Sequence, residues 1–431
     1  MYREVAKLIL YGETDQTTIL NSLADIFRKW ESKESSKAEL IRAIYTQVKR
    51  ILIVATDYGF DTNLWHNYLT YLLITNENPF SITCEKIGAN EGNVNHFAKN
   101  DFQAFLNLFH FDFGPIEQDL GIDAFSTISN YKAIVKKDLM YNKNVSEKVR
   151  GLSARLETAK DENEFFTYVT DFYKAYGVGM FGLNKAFRIN TVNDQVVFQP
   201  INNMEMVVLD DLVGYEIQKQ KLIENTESFV QGRKANNALL FGDSGTGKST
   251  SIKAIVNQYY DQGLRMIEIY KHQFKQLSTV VAMIKNRNYK YIIYMDDLSF
   301  EEFEIEYKFL KAVIEGGVET KPDNILIYAT SNRRHIIKET WKDRNDVNID
   351  NGIHKSDNME EKMSLVNRFG CQICYIKPDK KEFNHIVLEL AKKNGLDIPE
   401  DKLLAEANKW EISHGGFSGR TAQQFINYMM G

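Results

Sequence analysis

The stretch GDSGTGKST, Gly242 to Thr250, has the spacing G-x-x-x-x-G-K-S. These residue types suit one task, which is holding a phosphate chain. Gly242, Gly245 and Gly247 let successive backbone N–H groups turn inward as an anion nest. Asp243, Ser244 and Thr246 fill the loop between them, and Thr250 follows Ser249 into a helical pattern. Lys248 can reach the β- and γ-phosphates of a nucleotide, and the Ser249 hydroxyl can coordinate Mg²⁺. A plain glycine-rich turn would not also need Lys-Ser at that place. The motif therefore predicts binding of ATP with Mg²⁺.

A second acidic feature lies at YIIYMDDLSF, residues 291–300. A run of apolar residues ends in Asp296 and Asp297, as in a nucleotide-hydrolysing strand. The second acid of such a pair is commonly Glu. Here it is Asp, one methylene shorter, with Glu301 and Glu302 close behind.

The elements that must position these groups are legible on either side. Ala238 to Phe241 is a short apolar strand, and SIKAIVNQYYDQ after the loop has a helical pattern. LRMIEIY, YKYIIYMDD, NILIYATSN and CQICYI read as continuous apolar runs, which is how buried parallel strands read. Helical patterns such as STVVAMIKNRN and EYKFLKAVIEGG intervene. Ligands of such sheets sit at the carboxyl ends of the strands. The loop after Phe241, the Asp296-Asp297 pair and Thr330-Ser331-Asn332 all fall at such ends, so they can converge on one phosphate chain.

The first half differs. Segments such as TDQTTILNSLADIFRKW, SSKAELIRAIYTQVKRILIVATDYG and ENEFFTYVTDFYKAYG carry apolar residues at helical spacing. Ser35 or Ser36 ahead of Glu39 is a helix-start signal. The aromatic-rich helix in TNLWHNYLTYLLITNENPF should stop near Asn78-Pro79. After Gly177, GLNKAFRIN and DQVVFQP read as two short strands around a turn at Asn190 to Asp194. The expected organisation is a mostly helical domain over 1–178, a short β-rich connector over 179–206, an αβ domain over 207–378 and a small helical lid over 379–431.

Composition narrows the class. With 53 Lys and Arg against 58 Asp and Glu in 431 residues, the net charge is −5. That argues against a surface coated for nucleic acid, although a local patch such as Arg333-Arg334 or KNRNYK stays open. The start, MYREVAKLIL, lacks the long apolar region and cleavage site of a signal peptide. No run approaches 18 apolar residues, so no spanning helix is expected. Three cysteines are too few for a disulfide framework. Together these predict a cytoplasmic protein without a membrane partner. Cys371 and Cys374 have C-x-x-C spacing, but their β-like surroundings favour buried strand cysteines over a redox or zinc pair.

From 207 to 431 the chain resembles the AAA+ ATPases. LDDLVGYEIQKQKL, 209–222, resembles the segment that precedes the P-loop and packs near the adenine, with Val213 and Gly214 at its characteristic positions. The resemblance implies that Asp296 holds the Mg²⁺ hydration shell and that Asp297 polarises the attacking water, with Glu301 as a second candidate. It implies that Asn332 in ATSN is the sensor-1 residue, that Arg368 in NRFG is an arginine finger reaching a neighbouring subunit, and that Arg420 in GGFSGRTA is the sensor-2 arginine of the lid. Each has a plainer reading: Asn332 as a turn cap, Arg368 and Arg420 as helix-end surface residues. The segments NLWHNYLTYLL and DDLSFEE are most like an uncharacterised bacterial group of AAA+ ATP-binding proteins.

Three functional classes are consistent with these residues. The first is an oligomeric, Mg²⁺-dependent ATPase that remodels or loads a partner held by the helical half, with a protein partner expected rather than duplex DNA. The second is a nucleotide-dependent switch or scaffold with little turnover. A small-molecule kinase is third, because it would need neither the lid arginine nor NRFG. YKHQFKQLSTV lacks the aromatic–apolar–Gly pore loop of unfoldases, which leaves a loader-like role open. The polar insert RRHIIKETWKDRNDVNIDNGIHKSDNMEEK, between Asn332 and Arg368, reads as a subunit- or partner-facing loop.

Overall fold

A computed structural model describes residues 1–12, 15, 17–134, 143–201, 204–298, 306–315, 322–332 and 366–431. The chain divides into two compact units, Met1–Asn184 and Lys185–Gly431. Among the described residues, no helix is long and apolar enough to cross a membrane.

The first unit holds eleven helices among its described residues, from Tyr2–Val5 to Gly179–Leu183. Local sequence sets their ends. Ser36 caps Lys37–Tyr58: its amide donates to the Glu39 carboxylate at 2.9 Å while its hydroxyl accepts from the Glu39 amide at 3.4 Å. Asn78-Pro79 does two jobs. The helix Leu64–Thr75 stops before it, and Pro79 begins the next helix, with Asn78 Oδ1 accepting from Phe80 and Ser81 at 3.0 and 2.9 Å. The aromatic residues fill the core. Phe27, Trp65, Phe102, Phe105, Phe125 and Tyr173 are buried, and the polar tips of the larger ones find partners. Trp65 Nε1 donates to Leu108 O at 2.8 Å, and Tyr173 Oη donates to Leu73 O at 2.6 Å.

One buried charge ties the start of the chain into this core. Asp101, in the helix Val94–Phe109, is 0% exposed. Its carboxylate accepts the backbone N–H groups of Ile9, Leu10 and Tyr11 at 2.7 to 3.0 Å. Charge-assisted bonds of this kind are what make such burial tolerable.

The second unit is an α/β fold with one seven-stranded sheet. Its strands are β1 (Ala186–Val192), β2 (Gln195–Pro200), β3 (Ala238–Gly242), β4 (Leu264–Glu268), β5 (Lys290–Met295), β6 (Ile325–Ser331) and β7 (Cys371–Tyr375). The spatial order is β2-β1-β4-β5-β6-β3-β7. All neighbours pair parallel except β1 and β2. The mostly parallel sheet and the strands read from the sequence agree. β1 and β2, expected in a short connector, are the sheet's edge: Ala186 to Arg188 pair with Met266 to Glu268. Their tight turn places Asn193 and Asp194 at φ of 49° and 61°, the left-handed pair that a two-residue hairpin needs. Cys371 and Cys374 both lie in β7, half-buried rather than buried. A three-residue separation on a strand sends them to opposite faces.

Three helices, Lys380–Lys393, Glu400–Ser413 and Gly419–Met429, form a small lid with a core of its own built on Phe383, Val387, Leu403, Phe425 and Ile426.

Replacing Asp101 by Ala strands three amide donors without their acceptor, at about 1–3 kcal/mol for each one left buried. Tyr11 is buried and the other two donors are more exposed, so the expected result in chemical denaturation is a loss of about 1–3 kcal/mol. Asp101→Asn, which keeps one acceptor oxygen, should lose less.

Candidate functional site

Strand β3, one in from the sheet's edge, has β6 on one side and β7 on the other, so the loop leaving β3 lies where the ends of its neighbours also lie. The backbone leaves β3 through Gly242 at φ +126°, against Tyr375 of β7: a Cβ there would stand 2.0 Å from Tyr375 O. Only glycine passes that point. The loop then enters the helix Lys248–Tyr259 through Gly247, φ +91°, with no side chain capping the first turn. An uncapped helix start presents orphan N–H donors and the positive end of the helix dipole, which suits an anion.

A cavity of about 740 Å³ opens over this helix start. Its walls include Val213, Ser244 to Thr250, Asp296, Asp297, Asn332 and Arg420. The site therefore brings together most of the residues singled out in the sequence. Four of them are not on the wall. Gly242 and Asp243 act from behind the loop, where Asp243 Oδ2 accepts the Lys377 amide at 2.8 Å. Gly214, at φ +81°, turns the chain beside Val213. Arg368, three residues before β7, is exposed and does not line this cavity. Glu301, Glu302 and the polar insert lie outside the described residues.

The Lys248 ammonium donates to Gly242 O at 3.1 Å and Asp243 O at 2.6 Å, which holds it against the loop. Burial lowers its pKa, while Asp243, Asp297 and Asp296 act in the opposite sense. A phosphate would further favour its charged form.

Around Asp296 the polar groups are dense. Its Oδ1 accepts from Ser249 Oγ at 2.8 Å, Tyr294 Oη at 2.7 Å and Thr330 Oγ1 at 2.7 Å. Burial alone would raise the carboxyl's pKa. The hydrogen bonds from Thr330, Tyr294 and Ser249 outweigh it and hold the group below its usual value. Asp296 is thus a carboxylate at neutral pH, beside a serine hydroxyl. A hard divalent cation takes such oxygen donors, so the pair fits Mg²⁺.

Asp297 is turned. Its φ is +50°, its amide donates to Thr330 Oγ1 at 2.9 Å, and its Oδ1 accepts from Asn332 Nδ2 at 2.7 Å. The second acid and Asn332 therefore meet directly. The lid closes the far side. The Arg420 amide donates to Gly245 O at 3.2 Å, and Ile386 and Leu390, with Val213 packed against their cluster, and Leu212 give the cavity apolar lining. At the end of the helix Lys380–Lys393, Lys393 Nζ reaches Asp210 O at 2.5 Å and Asp211 Oδ1 at 3.2 Å.

The sequence assigns Tyr294 no role and gives Thr330 only a place at a strand end near the phosphate chain. Tyr294 had a signal, since it lies two residues before Asp296 on one strand and so on the same face. The Glu205 to Val207 wall had none; Asn257 Nδ2 holds it by donating to Glu205 O and Val207 O, both at 2.9 Å.

A P-loop strand one in from the edge of a mostly parallel sheet, an acidic strand end two strands away across β6 and a small helical lid define the C-terminal unit as an AAA+ fold. A family model described as a protein of unknown function, DUF815, matches residues 183–431, more than half of the chain, which belongs to this family. The large subunit of replication factor C from Methanococcus vannielii is 43% identical over 51 residues, 12% of this chain and 10% of that one. Two mutant forms of Thermotoga maritima RuvB align at 16% identity over 51% of this chain, with TM-scores of 0.36 and 0.35. This chain covers 64% and 63% of theirs.

Gly242→Ala would demand both the φ of +126° and a 2.0 Å approach to backbone. The expected outcome is a lower melting temperature and loss of measurable nucleotide binding by calorimetry.

Proposed function

We propose that the chain is a Mg²⁺-dependent ATPase of the AAA+ type that acts as a homo-oligomer to remodel or load a partner macromolecule. One observation carries the reading. The uncapped helix start with Lys248, the Ser249–Asp296 pair and the Asp297–Asn332 pair all face one cavity.

In this reading the loop amides and Lys248 bind the β- and γ-phosphates. Val213, Leu212, Ile386 and Leu390 take the apolar base. Bound Mg²⁺, held by Ser249 and through water by Asp296, would supply neutralisation of phosphate charge. Asp297 orients and polarises the attacking water, and Asn332 fixes the carboxylate by holding its Oδ1. Arg420 approaches from the lid in the same chain. Arg368 lies outside its own chain's cavity, which supports a role across a subunit boundary. The helical unit is assigned to the partner, and a protein suits the near-neutral charge of the chain better than duplex DNA.

A switch or scaffold with little turnover is the second reading. The short Asp297 side chain, already engaged by Asn332, favours it. Steady-state phosphate release separates the two.

Lys248→Ala should weaken ATP binding strongly in calorimetry; unchanged affinity would remove the loop from the site. Asp297→Asn should keep ATP binding and abolish phosphate release. If Glu301→Gln does so instead, the role passes to Glu301.

Arg368→Ala should bind ATP yet lose hydrolysis, by about 10³-fold or more if its guanidinium stabilises transition-state charge. Mixing it with Lys248→Ala chains should restore part of the activity, because a mixed interface pairs one intact loop with one intact arginine. Co-assembled mixtures that stay inactive would exclude the role across subunits.

A further inference from the structure

We infer that Thr330 is a positioning residue that turns Asp297 into the nucleotide cavity and so makes the shorter acid usable. The inference rests on the ATPase reading above and deepens it.

The geometry starts from strand alternation. β5 ends at Met295, and successive side chains of a strand point to opposite faces. Tyr294 and Asp296 share one face, as their 2.7 Å hydrogen bond requires. Met295 points the other way and is 1% exposed. An extended Asp297 would follow Met295 towards the interior. It does not, because the chain at Asp297 is left-handed, φ +50°. That conformation is uncommon outside glycine and needs support from its surroundings.

Thr330 gives that support. In the pairing of β5 with β6, Met295 lies opposite Ala329, so the ladder would next set Asp296 against Thr330. The ladder stops there, and Thr330 grips the turn instead. Its hydroxyl donates to Asp296 Oδ1 at 2.7 Å and accepts from the Asp297 amide at 2.9 Å. Its carbonyl accepts from the Leu298 amide at 2.7 Å. A single hydroxyl has the one donor and the acceptor capacity for both of its bonds. Thr330 is 2% exposed, so water does not readily replace it. The turn brings the Asp297 carboxylate onto the cavity wall and within 2.7 Å of Asn332 Nδ2. The left-handed turn thus sets where the short side chain ends.

The test compares Thr330→Val, which keeps the shape and removes the hydroxyl, with Thr330→Ser, which keeps the hydroxyl. Misplacing a catalytic group by an ångström costs on the order of 100-fold. Thr330→Val should therefore lose about 100-fold in kcat while its ATP dissociation constant stays within about threefold. Thr330→Ser should stay within about fivefold of wild type in kcat. Equal kcat for Val, Ser and wild type overturns the inference, as does a Val variant whose loss lies wholly in ATP affinity. If Thr330→Val does not fold, Thr330→Ala against Thr330→Ser carries the same contrast at equal loss of the methyl group, and equal rates for those two overturn it. A wild-type protein that binds ATP without turning it over sinks the hydrolytic reading instead. In that case a crystal structure of Thr330→Val or Thr330→Ala decides the present point. Asp297 released from φ near +50° and from Asn332 supports the inference, and an unchanged turn overturns it.

Discussion

A single carboxylate oxygen, Oδ1 of Asp296, joins the parts of the C-terminal unit that have to act together. It takes hydroxyls from the P-loop helix, from its own strand and from β6. Hydrogen bonds to an ionised acceptor are roughly twice as strong as neutral ones, and here they reach across the chain, from Ser249 on one side and Thr330 on the other. The loop helix cannot move relative to the ends of β5 and β6 without breaking one of them. Because the acid is held below its usual value, this junction persists through the neutral range.

The same arrangement explains why the loop can be so rich in glycine without losing its shape. Gly242 is pinned by Tyr375 from β7, and Tyr375 Oη in turn donates to Ser251 Oγ at 2.9 Å. Ser251 Oγ donates its own proton to Gly247 O at 2.9 Å. The two ends of the loop are therefore fixed to one tyrosine from a neighbouring strand. The amides between them are ordered by what surrounds the loop, since glycine itself favours no single conformation.

The features that could be read from the sequence are the local ones. The P-loop is legible because its chemistry is packed into a few consecutive residues. The parallel strands are legible because burial on both faces leaves continuous apolar runs, as in YIIYM. The sequence indicated β1 and β2 as strands but not their place in the sheet, because Ala186 finds its partner in the distant Met266. The sequence places Asp297 at the end of a strand. Its left-handed turn was not legible, since the hydroxyl that sets it belongs to Thr330, 33 residues away. In the sequence Tyr294 is one more apolar strand residue, and its role appears only in its hydroxyl's bond to Asp296.

The buried Asp101 of the helical unit bears on the order in which the chain can be made and folded. Synthesis delivers Ile9, Leu10 and Tyr11 long before their acceptor exists, 90 to 92 residues further on. Until Asp101 emerges, those amides have only water for partners. Once it emerges, its helix cannot enter the core without them, because a lone carboxylate in apolar surroundings costs too much. Docking of residues 9–11 and burial of the helix Val94–Phe109 are therefore coupled, and neither is complete without the other.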